Sequence, residues 1–364
     1  LASTRAFALG AGGGTVDTNG NSTTVSQAIS GSGALTKLGT GTLTLAAVNT
    51  YTGATTISAG TLALTGSGSI AASSSLTDNA TFDITGTTSG ASIKGLSGSG
   101  SVLAAGKTLT ITNSGGTFSG VISGAAANLE VSGGTTTLSG ANTYDGSTTI
   151  DSGATLALSG TGSIAASSGV ADAGTFDISA TTSGASIKSL SGAGVVTLGA
   201  QTLTLSNASG SFSGAIGGTG GLTLTSGSET LSGTNTYTGA TNLNGGTLSI
   251  SSNANLGSGA LNINNGATLA TTATNTYSHN AALTGTASLS AAGGTTATWS
   301  GLLSGTGTLN ATGGGTLALT NTSNSYTGGT SVSGGTTLLL TSDSELGGTS
   351  GGLTLDNCVL KLGA

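Results

Sequence analysis

Leu35-Thr-Lys-Leu-Gly-Thr-Gly-Thr-Leu-Thr-Leu45, continued by Asn49-Thr-Tyr-Thr-Gly-Ala-Thr-Thr-Ile-Ser-Ala-Gly-Thr-Leu-Ala-Leu64, decides the fold class. From Gly41 to Leu45 polar and apolar residues alternate, so Leu43 and Leu45 point one way and Thr42 and Thr44 the other. A period of two is a strand. The Gly, Ser, Asn and Asp between such runs suit tight or left-handed turns. The strand returns at Gly60 (Gly-Thr-Leu-Ala-Leu), Ala80 (Ala-Thr-Phe-Asp-Ile), Lys107 (Lys-Thr-Leu-Thr-Ile) and Gly134 (Gly-Thr-Thr-Thr-Leu), in steps of 19, 20, 27 and 27. The same beat continues at Ala154, Gly174, Gln201, Gly246, Ala267 and Gly315. Coils of roughly 20 residues with strand, turn, strand, turn predict an all-β chain, a right-handed single-stranded parallel β-helix or β-solenoid. About 18 such coils, at a rise of about 4.8 Å each, make a rod about 85 Å long.

A longer period overlies the coil. Asn49-Thr-Tyr51-Thr-Gly53 recurs as Asn142-Thr-Tyr144-Asp-Gly146, Asn235-Thr-Tyr237-Thr-Gly239 and Asn324-Ser-Tyr326-Thr-Gly328. The Tyr spacings are 93, 93 and 89. Between the first two copies Phe82-Asp83-Ile84 returns as Phe176-Asp177-Ile178, and Phe118-Ser-Gly120 as Phe212-Ser-Gly214. The chain reads as one solenoid over 1–364 with a supra-repeat of about 93 residues: approximately 49–141, 142–234, 235–323 and a partial 324–364. Since 19, 20, 27 and 27 add up to 93, each supra-repeat is expected to hold four coils, two of them with longer loops.

Composition removes other classes. Gly is 68 of 364 residues, Pro and Met are absent, and charged residues are 5 %, against about 25 % in an average chain. Helical bundles and doubly wound α/β enzymes need charged helix faces that this chain cannot supply. A mean hydropathy of +0.26 and strict alternation exclude a disordered Gly/Ser linker. The six basic residues, Arg5, Lys37, Lys94, Lys107, Lys188 and Lys361, are scattered, which argues against nucleic acid as a partner. No apolar run reaches the roughly 20 residues of a membrane span. The single Cys358 allows no internal disulfide and no cysteine-based metal site, and no cofactor is expected. A start at Leu1 without any Met reads as a mature or processed piece of something longer.

The blocks at Leu35–Leu64, and again around Asn142 to Leu158, Asn235 to Ile250 and Asn324 to Leu340, closely resemble the passenger-associated repeat of bacterial autotransporters. The resemblance covers most of the chain. It implies an extracellular β-helical passenger at the surface of a Gram-negative bacterium, exported through a C-terminal outer-membrane barrel. That barrel is not in this sequence, which still alternates at Leu360-Lys-Leu-Gly-Ala364.

Candidate chemistry is sparse. A β-helical enzyme cutting polysaccharide needs carboxylates about 5–9.5 Å apart. Asp83 and Asp177 face outward but are expected four coils, about 19 Å, from one another. Asp78 and Asp83 differ by five positions and should face opposite ways, and Asp145 and Asp151 flank a turn whose other copies carry no acid. His279 lacks an acid or thiol partner, Cys358 reads as a small core residue, and Gly12-Gly-Gly-Thr-Val-Asp17 is an incomplete calcium-roll motif. The best-marked positions are Asn49, Tyr51, Asn142, Tyr144, Asn235, Tyr237, Asn324 and Tyr326. They serve either as turn residues whose Tyr covers an adjacent coil, or as contact points spaced along the rod. The expectation is a non-enzymatic, surface-displayed structural or adhesive protein, meeting a host or abiotic surface, a glycan or other copies of itself. Polymerisation into an extracellular filament is the runner-up, because terminal coils have open strand edges.

Overall fold

The computed structural model describes residues 5–113 and 115–363. They form two compact units, one ending at Ile187 and one beginning at Lys188. Each unit is a β-solenoid of short parallel strands, and together they make about 18 turns. The expected alternation is present: in Thr42–Leu45 the leucines are buried and the threonines half-exposed.

A turn has three strands where the sequence suggested two. In the first unit one turn runs through Leu76–Asp78, Thr81–Thr87 and Ala91–Ile93 before Leu96–Ser97 begins the next. Each of the three belongs to a different sheet. Strands of three to seven residues joined by turns of two or three leave room for a third side within 20 residues.

Successive turns pair in parallel, in steps close to 20 residues, with a register shift inside Thr81–Thr87 and its equivalent Thr175–Thr181. Leu62, Phe82, Val102 and Ile122 stack as one buried column; Leu248, Leu269 and Leu289 form another in the second unit. The step is 20 residues from Thr81 to Ser101 and again to Val121. A repeat of 93 residues is therefore about four and two-thirds turns rather than four. The steps of 27 are a turn plus a third: Thr108–Ile111 lies in a different sheet from Thr81–Thr87. They are not longer loops.

The consequence is that equivalent strands change side. In the first unit Thr55–Ile57 pairs with Leu35–Leu38 and Leu76–Asp78, whereas its repeat equivalent Ser147–Ile150 joins Asn128–Val131 and Gly169–Asp172 in another sheet. In the second unit Thr241–Leu243 and Thr330–Val332 likewise fall in different sheets.

Corners demand small residues. A Cβ on Gly120 would sit 1.9 Å from the Gly100 carbonyl oxygen, and one on Gly140 equally close to Gly120. Successive turns touch there backbone to backbone, so no side chain fits.

Candidate functional site

The Asn and Tyr positions singled out in the sequence are inside the solenoid. Tyr51, Tyr144, Tyr237 and Tyr326 are all at most 1 % exposed. Each phenol hydroxyl bonds the Thr four residues on: Thr55 at 2.6 Å, Thr148 at 2.8 Å, Thr241 at 2.6 Å and Thr330 at 2.6 Å. Those Thr begin or lie near the start of the next strand with their hydroxyls inward, so the pair ties the corner to the strand it leads into. Burial pushes the hydroxyls of Tyr51 and Tyr326 up to about 12, with the Thr contacts pulling the other way. They stay neutral. No polymer outside the chain reaches these rings.

The Asn side chains bridge three successive turns. Asn142 Oδ1 accepts from Ile122 N–H at 2.9 Å, one turn back. Its Nδ2 donates to Gly140 O and to Ser163 O, one turn on. Asn49 repeats this with Ile29 N–H, Ala47 O and Ser69 O. Asn235 and Asn324 accept from Ile216 and Leu303 N–H and donate to Asn255 O and Glu345 O. The amide oxygens satisfy backbone N–H groups that the open corner leaves without a ladder partner, and the NH₂ groups add a bond to carbonyls of the adjoining turn.

The candidate acids do not converge. Asp83 and Asp177 are half-buried and cap their own strands, each accepting at 2.8 Å from the N–H two residues on, Thr85 and Ser179. Asp145 is exposed and accepts from the N–H of Ala126, which holds a left-handed φ of 53° in the preceding turn. Cys358 is half-buried, not in the core. Among the described residues no three His, Cys, Asp or Glu side chains gather as metal ligands would.

Sequence reasoning missed the charges that matter most. Lys37, Asp78, Asp172 and Glu229 are fully buried. The Lys37 ammonium is surrounded by Leu38 O and Gly39 O at 2.8 Å, Ala59 O at 3.0 Å and Thr18 Oγ1 at 3.1 Å. Burial lowers its pKa, opposed by Asp17. Asp78 and Asp172 each accept one backbone N–H, from Ala80 and Gly174, while the other oxygen has no partner. Burial raises both carboxyls to about 6, against the pull of nearby backbone N–H groups. Neither Glu229 oxygen has a partner, and burial raises that carboxyl to about 8. The signal was in the alternation: Leu35-Thr-Lys37, Leu76-Thr-Asp78 and Glu229-Thr-Leu231 each put the charge on the leucine's side. A fifth Asn-Thr-Tyr, Asn275 to Tyr277, was also legible; its ring is buried and stacks on Trp299 at 6.1 Å.

Against known families, the passenger-associated-transport-repeat matches four stretches, residues 35–64, 132–163, 217–250 and 309–340. The chain carries the β-helix repeats of an autotransporter passenger. Each matched stretch ends in or just beyond the Leu-rich strand that follows the buried Tyr, so the repeat's mark is the Asn bridge and the Tyr–Thr pair rather than an exposed site. No curated protein and no solved structure matches the chain. The four repeats are consistent with an autotransporter passenger. Among the described residues no helix is long and apolar enough to cross a membrane.

Proposed function

We propose that this passenger is displayed outside a Gram-negative cell and works without catalysis, as a structural and adhesive element. The observation that carries the reading is where the polar chemistry goes. Asn, Tyr and Thr of the repeat are spent on bridging turns, and the outward acids cap their own strands or a neighbouring turn. What remains outside is a repetitive surface of Thr, Ser, Asn and Gly, suited to many weak contacts. The passenger repeats support display at the cell surface.

The test is to display the chain on a non-adherent bacterium, confirm surface exposure by protease shaving, and count cells retained on glass and on cultured epithelial cells. Retention several-fold above the undisplayed control is expected. Equal retention overturns the adhesive reading. Glycan cleavage that disappears in Asp145→Asn/Asp151→Asn overturns the non-enzymatic one.

A second reading is end-to-end assembly, because a solenoid turn presents open strand edges to which a turn of another copy can pair. Electron microscopy of native material decides: continuous fibres support assembly, and separate particles overturn it.

A further inference from the structure

The second unit holds one groove that the repeat does not explain. It lies beside the 3-10 turn Asn253–Asn255, has a volume of about 550 Å³, and takes its apolar surface from Ala260 and Ala282, since Leu261 and Ala281 point into the core. That volume is within the roughly 300–1,000 Å³ usual for small-ligand sites. Its polar wall is made by Ser258, Asn262, Ser278, His279, Asn280 and Ser304, together with Asn253. No Asp, Glu, Lys or Arg is among its lining residues.

The wall is held before any ligand arrives. His279 Nδ1 lies 2.8 Å from Asn253 Oδ1, and Nε2 lies 2.7 Å from Gly257 O. Asn253 Oδ1 also accepts from Ser278 N–H at 3.0 Å. Both oxygens only accept, so a neutral ring clamps the groove rim to the turn before it through one N–H, which still cuts the ordering cost of binding.

Two amides in the groove are half used. Asn280 Oδ1 accepts from Leu302 N–H at 2.8 Å, which leaves its NH₂ group without a bond in the chain. Asn262 Nδ2 donates to Asn242 Oδ1 at 2.7 Å, at the end of an amide ladder, which leaves Asn262 Oδ1 to accept. Asn262 pairs in register with Ala282, two residues past Asn280, so donor and acceptor lie on neighbouring turns. The hydroxyls of Ser258 and Ser278 add groups that both give and take. Each sugar hydroxyl is likewise donor and acceptor, and with no carboxylate, ammonium or guanidinium in the wall it is uncharged hydroxyls that these groups match.

The geometry points to this groove as a binding site for one or two neutral pyranose residues of a glycan, read by Asn262, Asn280 and the flanking serines beside the methyl groups of Ala260 and Ala282. This deepens the adhesive reading and rests on it. By contrast, the groove beside the other 3-10 turn, near Asn324 and Thr330, carries Asp343 and a wall of Gly347, Gly348, Gly351 and Gly352. It lacks both the amide pair and the clamp.

Saturation-transfer NMR of the whole chain with maltotriose, N-acetylglucosamine trimer and galacturonate trimer tests the assignment. The two neutral probes separate plain-hexose from amino-sugar sources. Without an aromatic platform, binding with Kd of about 1 mM is expected, for at least one neutral trimer and with a weaker signal from the acidic one. Asn262→Ala should weaken it about tenfold. Asn280→Asp keeps the oxygen that accepts Leu302 N–H but removes the free donor, and should weaken it similarly with the circular dichroism spectrum unchanged. No transfer to either neutral trimer at about 10 mM, a preference for galacturonate, or undiminished binding in both variants overturns the assignment. Adherence that survives Asn262→Ala while saccharide binding is lost removes the groove's role in adhesion and leaves the adhesive reading. Saccharide binding without adherence does the reverse.

Discussion

In the first unit the turn that follows a buried tyrosine is closed by a serine, and in the second by a 3-10 turn. Ser73 Oγ bonds Thr55 Oγ1 at 2.9 Å and donates to Gly53 O, extending the Tyr51–Thr55 contact into a relay of three hydroxyls; Ser167, Thr148 and Tyr144 repeat it. In the second unit Asn255 and Glu345 take over. Asn255 Oδ1 accepts from Ser251 and Ser252 N–H, and Glu345 Oε2 from Thr341 and Ser342 N–H, each in a reciprocal cap with the serine that opens the turn. The Asn bridge is common to both units. Only the far side of the turn varies, since any donor and acceptor set that satisfies the same backbone groups will close it.

The largest effect should come from the shared part. Asn142→Ala and Asn235→Ala each strand a buried isoleucine N–H, which should cost about 3 kcal/mol in denaturant unfolding, slightly more for Asn235 because Asn255 O also loses its donor while Ser163 O keeps the backbone N–H of residue 142. A loss confined to one variant would break the claim that the bridge is common.

Next comes the feature peculiar to the second unit. A Cβ on Gly257 would lie 2.2 Å from Tyr237 O and 2.4 Å from its ring. Gly257→Ala should therefore lose about 3 kcal/mol. The first unit has Ala71 at the matching place, and Ala71→Gly should cost about 1 kcal/mol or less.

The buried acids sharpen the comparison through pH. Their folded pKa values lie above the unfolded values of about 3.9 and 4.3, so the neutral form is the one that stabilises the fold. Stability is full below about pH 4 and declines as pH rises, through about 6 for Asp78 and Asp172 in the first unit and about 8 for Glu229 in the second. At pH 8, Glu229→Gln or Asp78→Asn should each raise stability by about 2 kcal/mol. Glu229→Gln alone should flatten the decline between pH 6 and 8. A curve that rises with pH over this range would contradict the burial of these carboxyls.

The smallest effect is expected from Ser73→Ala, about 1 kcal/mol, because Thr55 keeps its Tyr51 partner. Asn255→Ala should exceed it at about 2 kcal/mol, since two backbone N–H groups lose their acceptor.

Much of the fold was legible because alternation is local. Leu43 and Leu45 were expected on one side of their strand and are fully buried. The site was less so. The Tyr motif read either as turn residues or as contact points spaced along the rod, but 93 is not a multiple of the turn, and equivalent strands land on different sides. The groove at His279 joins Asn253, 26 residues back, with Asn280 and Ser304 from neighbouring turns, a combination no contiguous motif announces.

By itself the sequence determined strand against turn, apolar side against polar, and the parallel solenoid that their repetition implies, because a two-residue period and turn-forming glycines act within a few bonds. Tertiary structure alone decided the third strand of each turn, the side on which each repeat falls, and the burial of Tyr51. Those depend on how many residues close a turn, a quantity that is fixed only when one turn is laid in register on the next.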